Sequence, residues 1–297
     1  MREAVISFPS LGLTLDPPSY ISIGNFHIYF YGIIIALGFV LAVLYTAGYS
    51  AKRLDISMDD VYDLMLFAVP SAIIGARLYY VIFYFSLYQD NLLKIFAIRD
   101  GGLAIYGGVI GAVLALFFRC RRRKIGCGKA LDVAAFGLLI GQCVGRWGNF
   151  FNREAFGYET DCFFRMGLTM PGQETIYVHP TFLYESLWNF VGFWVLHFIC
   201  RKNRKYEGQF FILYVMWYGL GRAFIEGLRS DSLWLIPGVV RVSQMLAIIS
   251  LLAAGTIYII NSRRMKKGLA PLVGKAVHSN IDGDDIMEGN KEDASSN

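Results

Sequence analysis

The sequence predicts an all-α integral membrane protein with about seven transmembrane helices. Hydrophobic residues make up 55% of the 297-residue chain and charged residues only 17%, and the mean hydropathy is +0.45. Soluble domains carry about 25% charged residues, because their surface must be polar. The composition therefore excludes an ordinary cytosolic enzyme, a disordered protein and a small secreted domain held together by disulfides.

Seven hydrophobic runs give the predicted helices in order. A membrane-spanning helix needs about 20 mainly apolar residues, and runs near that length occur at 27–48, 61–84, 102–118, 131–149, 181–200, 209–227 and 241–261. They define a membrane domain at 26–262, which follows an N-terminal segment at 1–25. The polar, acidic end of the chain at 268–297 is predicted to be a disordered tail.

The positions of Lys and Arg predict the orientation of these helices. Positive residues cluster in alternate connections, at 52–53, 119–124, 201–205 and 263–267, while the opposite connections carry fewer. Cytoplasmic loops of membrane proteins carry the excess of Lys and Arg. The N-terminus and the loop at 150–180 are therefore predicted to be extracytoplasmic, with the loop forming a small cap, and the C-terminus to be cytoplasmic.

Charged residues inside the hydrophobic runs are the first candidates for a functional site, because a charge within a membrane is costly. Arg77, Arg146, Glu185, Arg222 and Glu226 all fall in the outer half of their predicted helices. Two interpretations are open: buried ion pairs that join helices, or a pocket whose arginine excess binds a phosphate. Arg222 and Glu226 lie four residues apart and so can pair on one helical face.

The sequence offers no pattern typical of a metal site or a cofactor site. The five cysteines form no CxxC pair, and Cys120 and Cys127 have no histidine nearby. We therefore predict neither a metal nor a cofactor. The basic residues lie in short clusters between apolar runs, so no nucleic-acid partner is predicted.

Five segments carry a family resemblance. Residues 145–157 read GRWGNFFNREAFG, and they are similar to the G-R-x-G-N-F-x-N-x-E-x-x-G signature of the prolipoprotein diacylglyceryl transferases. Four further stretches agree in order: FYG at 30–32, DGGLAIYGG at 100–108, HPTFLYE at 179–185 and YGLGRAFIE at 218–226. The resemblance covers the chain from about 20 to 262 and leaves out the acidic tail.

The resemblance implies an enzyme of the bacterial cell (plasma) membrane that acts at the outer leaflet in the first step of lipoprotein maturation. Such an enzyme moves the diacylglyceryl group of phosphatidylglycerol to the thiol of the lipobox cysteine in a prolipoprotein signal peptide, and glycerol phosphate leaves. The phosphatidylglycerol-binding residues that it implies include Arg146, Arg222, Tyr31, Asn149 and Gly157. The adjacent pair Gly101–Gly102 suggests either a bend or backbone close to a ligand, and Gly102 is included as a further candidate.

The catalytic residues follow from the same comparison and from the chemistry. We predict that Arg146 and Arg222 hold the phosphate and that Glu226 positions Arg222. Many members of the family have histidine where this chain has Tyr106, and a phenol with a pKa near 10 is a weak base. We therefore predict that either Tyr106 or Glu154 accepts the proton of the thiol. An anion transporter, a structural scaffold and another lipid-headgroup transferase remain competing interpretations of the charges alone.

Overall fold

The computed structural model describes residues 4–24, 26–98, 101–202, 204–236 and 238–277. Each hydrophobic run lies on a helix of the described chain. The helices are α1 (Phe30–Tyr45), which continues through a π-helical turn into α2 (Ala51–Arg53), α3 (Met58–Phe83), α4 (Ile105–Arg123), α5 (Cys127–Asn152), α6 (Thr181–Lys202), α7 (Gln209–Ile225) and α8 (Val242–Lys266).

The described part of the chain is mostly helical, and four of its helical segments are long and apolar enough to cross a membrane. These are Phe30–Arg53, Met58–Phe83, Cys127–Asn152 and Val242–Lys266. Together with the predominance of helix, they confirm the prediction of a helical membrane protein in its general form. Whether all seven runs cross the membrane, and in which direction, stays a prediction.

Local sequence explains where the long helices begin and end. Ser57 caps α3, because its hydroxyl accepts a hydrogen bond from the backbone N–H of Asp60 at 3.0 Å. Asp59 and Asp60 place negative charge in the first turn, next to the positive end of the helix dipole. The last turns of α4 and α8 carry arginine or lysine side chains, next to the negative end of the helix dipole.

Glycines let α3 and α4 approach each other closely. A Cβ atom on Gly107 would lie 2.3 Å from the carbonyl oxygen of Gly75, and one on Gly111 would lie 2.2 Å from that of Ser71. Side chains larger than hydrogen would push the two backbones apart. Gly107 and Gly111, four residues apart, are therefore packing residues of this helix pair.

The prediction of an all-α fold needs a correction, because the described residues also form three small sheets. Strands β1 (Val5–Phe8), β2 (Leu13–Leu15), β5 (Met166–Thr169) and β6 (Ile176–Val178) form an antiparallel sheet in the order β2-β1-β5-β6. Strands β3 (Tyr20–Ile23) and β4 (Phe26–Tyr29) form a hairpin, as do β7 (Trp234–Ile236) and β8 (Val240–Arg241).

The four-stranded sheet, called the cap below, combines the loop at 150–180 with the N-terminal segment, and its extracytoplasmic position stays a prediction. Ile6, Met166 and Leu168 are almost fully buried and form an apolar cluster with Phe150 and Phe182 at the adjacent ends of α5 and α6. The segment at 1–25 and the loop at 150–180 are therefore one structural unit in the part of the chain described. This unit fixes the ends of the two helices that carry Arg146 and Glu185.

Residues 268–277, the first ten of the predicted disordered tail, are bound to α8 and to the connection between α6 and α7. The side-chain oxygen of Asn261 in α8 accepts a hydrogen bond from the N–H of Leu272 at 2.7 Å. Backbone bonds also join Glu207 to Lys275 and Lys205 to Val277, each at 2.9 Å. The acidic remainder of the tail, 278–297, lies outside the described residues.

Candidate active site

A single carboxylate, Glu185 on α6, lies at the centre of the predicted charge cluster. Its Oε2 lies 2.5 Å from Nη2 of Arg146, and its Oε1 lies 3.1 Å from Nη1 of Arg222 and 3.2 Å from Nη1 of Arg229. Only 4% of the Glu185 side chain is exposed. The structure thus brings the two predicted arginines together on opposite oxygens of one buried acid.

Arg222 and Glu226 form the ion pair that their spacing predicts. Nη2 of Arg222 lies 2.6 Å from Oε2 of Glu226. Glu226 is almost fully buried, and its backbone carbonyl accepts a hydrogen bond from the guanidinium group of Arg241. Because Arg241 fixes the backbone at Glu226, the carboxylate that orients Arg222 is itself held in place.

Arg229 is not among the site residues that the sequence predicts, although it contacts Glu185 directly. Arg229 also forms two hydrogen bonds with Asp231, at 2.9 and 2.8 Å. Burial acts to lower the pKa of Arg229, but the bonds to Asp231 and the charge of Glu185 outweigh it, so the pKa is raised. The same contact lowers the pKa of Asp231. Arg229 lies just after the sixth hydrophobic run, at 209–227. The one sequence signal for a role in the site is its position three residues after the YGLGRAFIE stretch.

The signature segment adds a chain of hydrogen bonds that leads from Arg146 to Glu154. Nη1 of Arg146 donates to Oδ1 of Asn149 at 3.4 Å, and Nδ2 of Asn149 donates to Oε1 of Glu154 at 3.1 Å. Asn152 donates to the same Glu154 oxygen at 3.3 Å. The helix ends at Asn152, and Arg153 has the left-handed conformation that reverses the chain. This reversal places the Glu154 carboxylate beside Asn149.

Gly157 and Tyr31 lie at positions of close packing next to this segment. The N–H of Gly157 donates to the carbonyl of His179 at 2.9 Å, and a Cβ there would lie 2.6 Å from the carbonyl oxygen of Leu228. The ring of Tyr31 lies against Gly148, where a Cβ would lie 2.8 Å from a ring carbon. Contact of either residue with a lipid stays a prediction.

Among the described residues, no ion pair joins Arg77 to the Glu185 cluster, and Arg77 binds backbone carbonyls instead. Its guanidinium group donates hydrogen bonds to the backbone carbonyls of the connection between α3 and α4, namely those of Lys94, Ile95, Ala97, Gly101 and Gly102. These five bonds fold the connection around the end of α3. The prediction that Arg77 contributes positive charge to the cluster therefore needs revision.

Gly102 lies in the same connection, and Tyr106 lies in the first turn of α4. Gly102 has a φ of +74°, and a Cβ there would lie 2.5 Å from Nη1 of Arg77. The positive φ and the close approach of Arg77 explain why this position is a glycine, without any contact to a ligand. Tyr106 is 39% exposed. Within the described part of the chain, no hydrogen bond or ion pair joins Tyr106 to the Glu185 cluster.

The geometry favours recognition of an anionic ligand. A guanidinium group has five N–H donors, and each arginine uses only some of them on Glu185 and its neighbours. The Arg146 and Arg222 side chains remain 22% and 16% exposed. Donors fixed in a site that is poor in water stabilise charge that develops on a ligand, as on the phosphate oxygen of a leaving group.

Known proteins of one enzyme family are similar in sequence to this chain over most of its length. The family model described as prolipoprotein diacylglyceryl transferase matches residues 18–260. The chain is 46% identical over 252 residues to the phosphatidylglycerol–prolipoprotein diacylglyceryl transferase of Bacillus cereus strain G9842, covering 82% of this chain and 92% of the relative. The enzyme of the same name from Enterococcus faecalis strain V583 is 46% identical over 244 residues, covering 80% and 87%. The chain therefore belongs to the prolipoprotein diacylglyceryl transferase family.

Proposed function

We propose that this protein transfers the sn-1,2-diacylglyceryl group of phosphatidylglycerol to the thiol of the lipobox cysteine in prolipoprotein signal peptides. The observation that carries the proposal is the contact of Arg146, Arg222 and Arg229 with one buried carboxylate. Two of these arginines belong to the segments that resemble the family's motifs. The relatives named above have the same activity in their names.

The reaction is a displacement at the glycerol carbon that bears the phosphate. The sulfur of the deprotonated cysteine attacks this carbon and forms the thioether, while the C–O bond breaks and its electrons pass to the phosphate oxygen. Glycerol phosphate leaves with that charge. In the proposed mechanism Arg146 and Arg222 donate hydrogen bonds to the phosphate, and Glu185 and Glu226 keep the two guanidinium groups oriented.

The thiol must lose its proton first, since a free cysteine has a pKa of about 8.5. Glu154 is joined to Arg146 through Asn149, so it would lie near the phosphate bound there. Tyr106 has no such connection in the described residues. These contacts favour Glu154 over Tyr106 as the group that accepts the proton.

Substitutions at the two candidates test this assignment. We expect Tyr106→Phe to keep kcat within about threefold of the wild type and Tyr106→His to be tolerated. Glu154→Gln is expected to lower kcat by about 10²-fold, because general-base catalysis contributes ~10²–10⁴-fold. Initial rates with a lipobox peptide measure both effects. A loss in Tyr106→Phe as large as that in Glu154→Gln would contradict the assignment.

We also propose that all seven runs cross the bacterial plasma membrane, with the cap and the Glu185 cluster toward the outer leaflet. The excess of Lys and Arg in alternate connections supports this orientation. In a cysteine-free variant, Leu11→Cys in the cap is expected to react with a membrane-impermeant maleimide in intact cells. Lys266→Cys, at the end of α8, is expected to react only after the membrane is opened. The reverse pattern would overturn the orientation.

The decisive test of the function uses the purified protein, phosphatidylglycerol and a lipobox peptide. We expect thioether peptide and glycerol phosphate to appear in equal amounts, as followed by mass spectrometry and an enzymatic glycerol phosphate assay. Arg146→Ala and a peptide with serine in place of the lipobox cysteine should yield neither product. Absence of both products with the folded wild-type protein in lipid would overturn the proposal.

A further inference from the structure

A second polar layer lies one helical turn deeper in the bundle than the Glu185 cluster. On α5, Gln142 lies one turn below Arg146; on α6, Asn189 lies one turn from Glu185; on α7, Tyr218 lies one turn from Arg222. The spacing of four residues places each pair on a common helix face. Each helix that contributes a charge to the cluster therefore also contributes a neutral polar group beneath it.

Asn189 and Gln142 each have a buried side-chain oxygen without a hydrogen-bond partner among the described residues; the Gln142 amide donates to Tyr214, whereas Asn189 lines a cavity. Asn189 is only 2% exposed, and its unpartnered oxygen is Oδ1. A buried carbonyl oxygen without a donor is rare in folded proteins, and it commonly marks the place of an ordered water. The orphaned oxygen thus indicates a ligand that can donate hydrogen bonds.

A small cavity lies between Asn189 and the ion pair above it. Its volume is about 10 Å³, and its lining includes Glu185, Asn189, Tyr218 and Arg222. A cavity needs about 10–15 Å³ and two to four polar partners to hold one water molecule. The space therefore fits a single water, and it is too small for the glycerol headgroup of a lipid.

We propose that Asn189 is a positioning residue that acts on the Glu185–Arg222 pair through one internal water. The water donates one hydrogen bond to Oδ1 of Asn189 and one to the Glu185 carboxylate, and Arg222 or Tyr218 donates to its oxygen. The Glu185 carboxylate keeps this support while Arg146 and Arg222 also donate hydrogen bonds to the phosphate. The kinetic part of this inference rests on the proposed function.

Two substitutions separate this role from a purely structural one. Asn189→Leu preserves the approximate volume and removes the acceptor, whereas Asn189→Ser keeps a hydroxyl and makes room for a second water. We expect Asn189→Leu to lower kcat about tenfold with KM for phosphatidylglycerol within about twofold, because misplacement of a catalytic group acts mainly on kcat. Asn189→Ser should stay within about threefold of the wild type.

Asn261→Leu is the matched control. Asn261 lies on α8 and is also buried, but it binds the segment that follows α8 and not the Glu185 cluster. It is expected to lower the Tm and leave kcat per folded enzyme unchanged. Unchanged kcat in Asn189→Leu, or a rise in KM alone, would overturn the proposal.

An experimental structure of the wild type that resolves ordered waters tests the site without any turnover. We expect density for one water within hydrogen-bond distance of both Asn189 and Glu185, and its absence there would overturn the inference. A wild type that makes no thioether product would instead overturn the proposed function, and the water density would still decide the site.

Discussion

Replacing Arg146 by lysine is expected to lower kcat/KM by about 10²–10³-fold, the usual loss when one donor to a developing anion is removed. In the structure, one nitrogen of Arg146 contacts Glu185 at 2.5 Å while another reaches Asn149 at 3.4 Å. A lysine ammonium group is a single point of charge on a flexible chain, so it cannot make both contacts and also face a phosphate. Steady-state rates with phosphatidylglycerol and a lipobox peptide measure the loss.

The control for this substitution is Arg165→Lys in the cap. Arg165 stacks over the ring of Tyr177 and donates to the carbonyl of Asp161, so the same chemical change there affects a structural arginine only. We expect Arg165→Lys to retain the wild-type rate within about twofold. If Arg146→Lys also kept full activity, Arg146 would be only a counter-charge for Glu185, and the phosphate would be bound elsewhere.

The helices and the principal arginines could be predicted because their signals are local. A hydrophobic run about 20 residues long is visible in any window of the sequence. The Arg222–Glu226 pair follows from spacing within one helix turn, and the ion pair forms as expected. The predicted outer position of Arg146, Glu185 and Arg222 likewise anticipated their meeting.

The sheets could not be predicted, because their signals are short or distant. Strands β1 and β5 have four residues each, and Val5 pairs with Thr169 far along the chain. Alternation over three or four residues is too brief to separate a strand from a loop. The partnership of the N-terminal segment with the loop at 150–180 depends on where the helices between them place their ends.

The roles of individual arginines were the least predictable feature of the site. Arg77 lies in a hydrophobic run at the same predicted depth as Arg146, yet it binds five backbone carbonyls. Arg229 lies in a connection, yet it contacts Glu185. A guanidinium group can bind a carboxylate, a phosphate or carbonyls, so the residue type alone does not decide among them. The partners become known only from the folded path of the described connections that follow α3 and α7.

Substitution of Glu185 by glutamine is expected to have the second large effect, on stability and on activity. Three arginines share this carboxylate in a buried position. Removing one partner of a buried ion pair costs about 3–5 kcal/mol, because the remaining charge is left without compensation. The Tm should fall clearly, and the arginines should lose their common orientation, so kcat should fall by about 10²-fold. Thermal unfolding in detergent and initial rates measure the two effects.

A lipid that supplies a phosphate should compensate for the missing carboxylate. We expect phosphatidylglycerol to raise the Tm of Glu185→Gln by more than it raises that of the wild type, whereas diacylglycerol, with the same chains and no phosphate, should not. Asp132→Asn is the matched control, since Asp132 is a buried acid that pairs with Arg204 at 3.1 Å outside the cluster. It should lose stability without this gain, because no lipid phosphate is expected to reach Arg204. Equal stabilisation of both variants by phosphatidylglycerol would show that the lipid binds away from Arg146 and Arg222, and a phosphate-binding role for the Glu185 cluster would then be wrong.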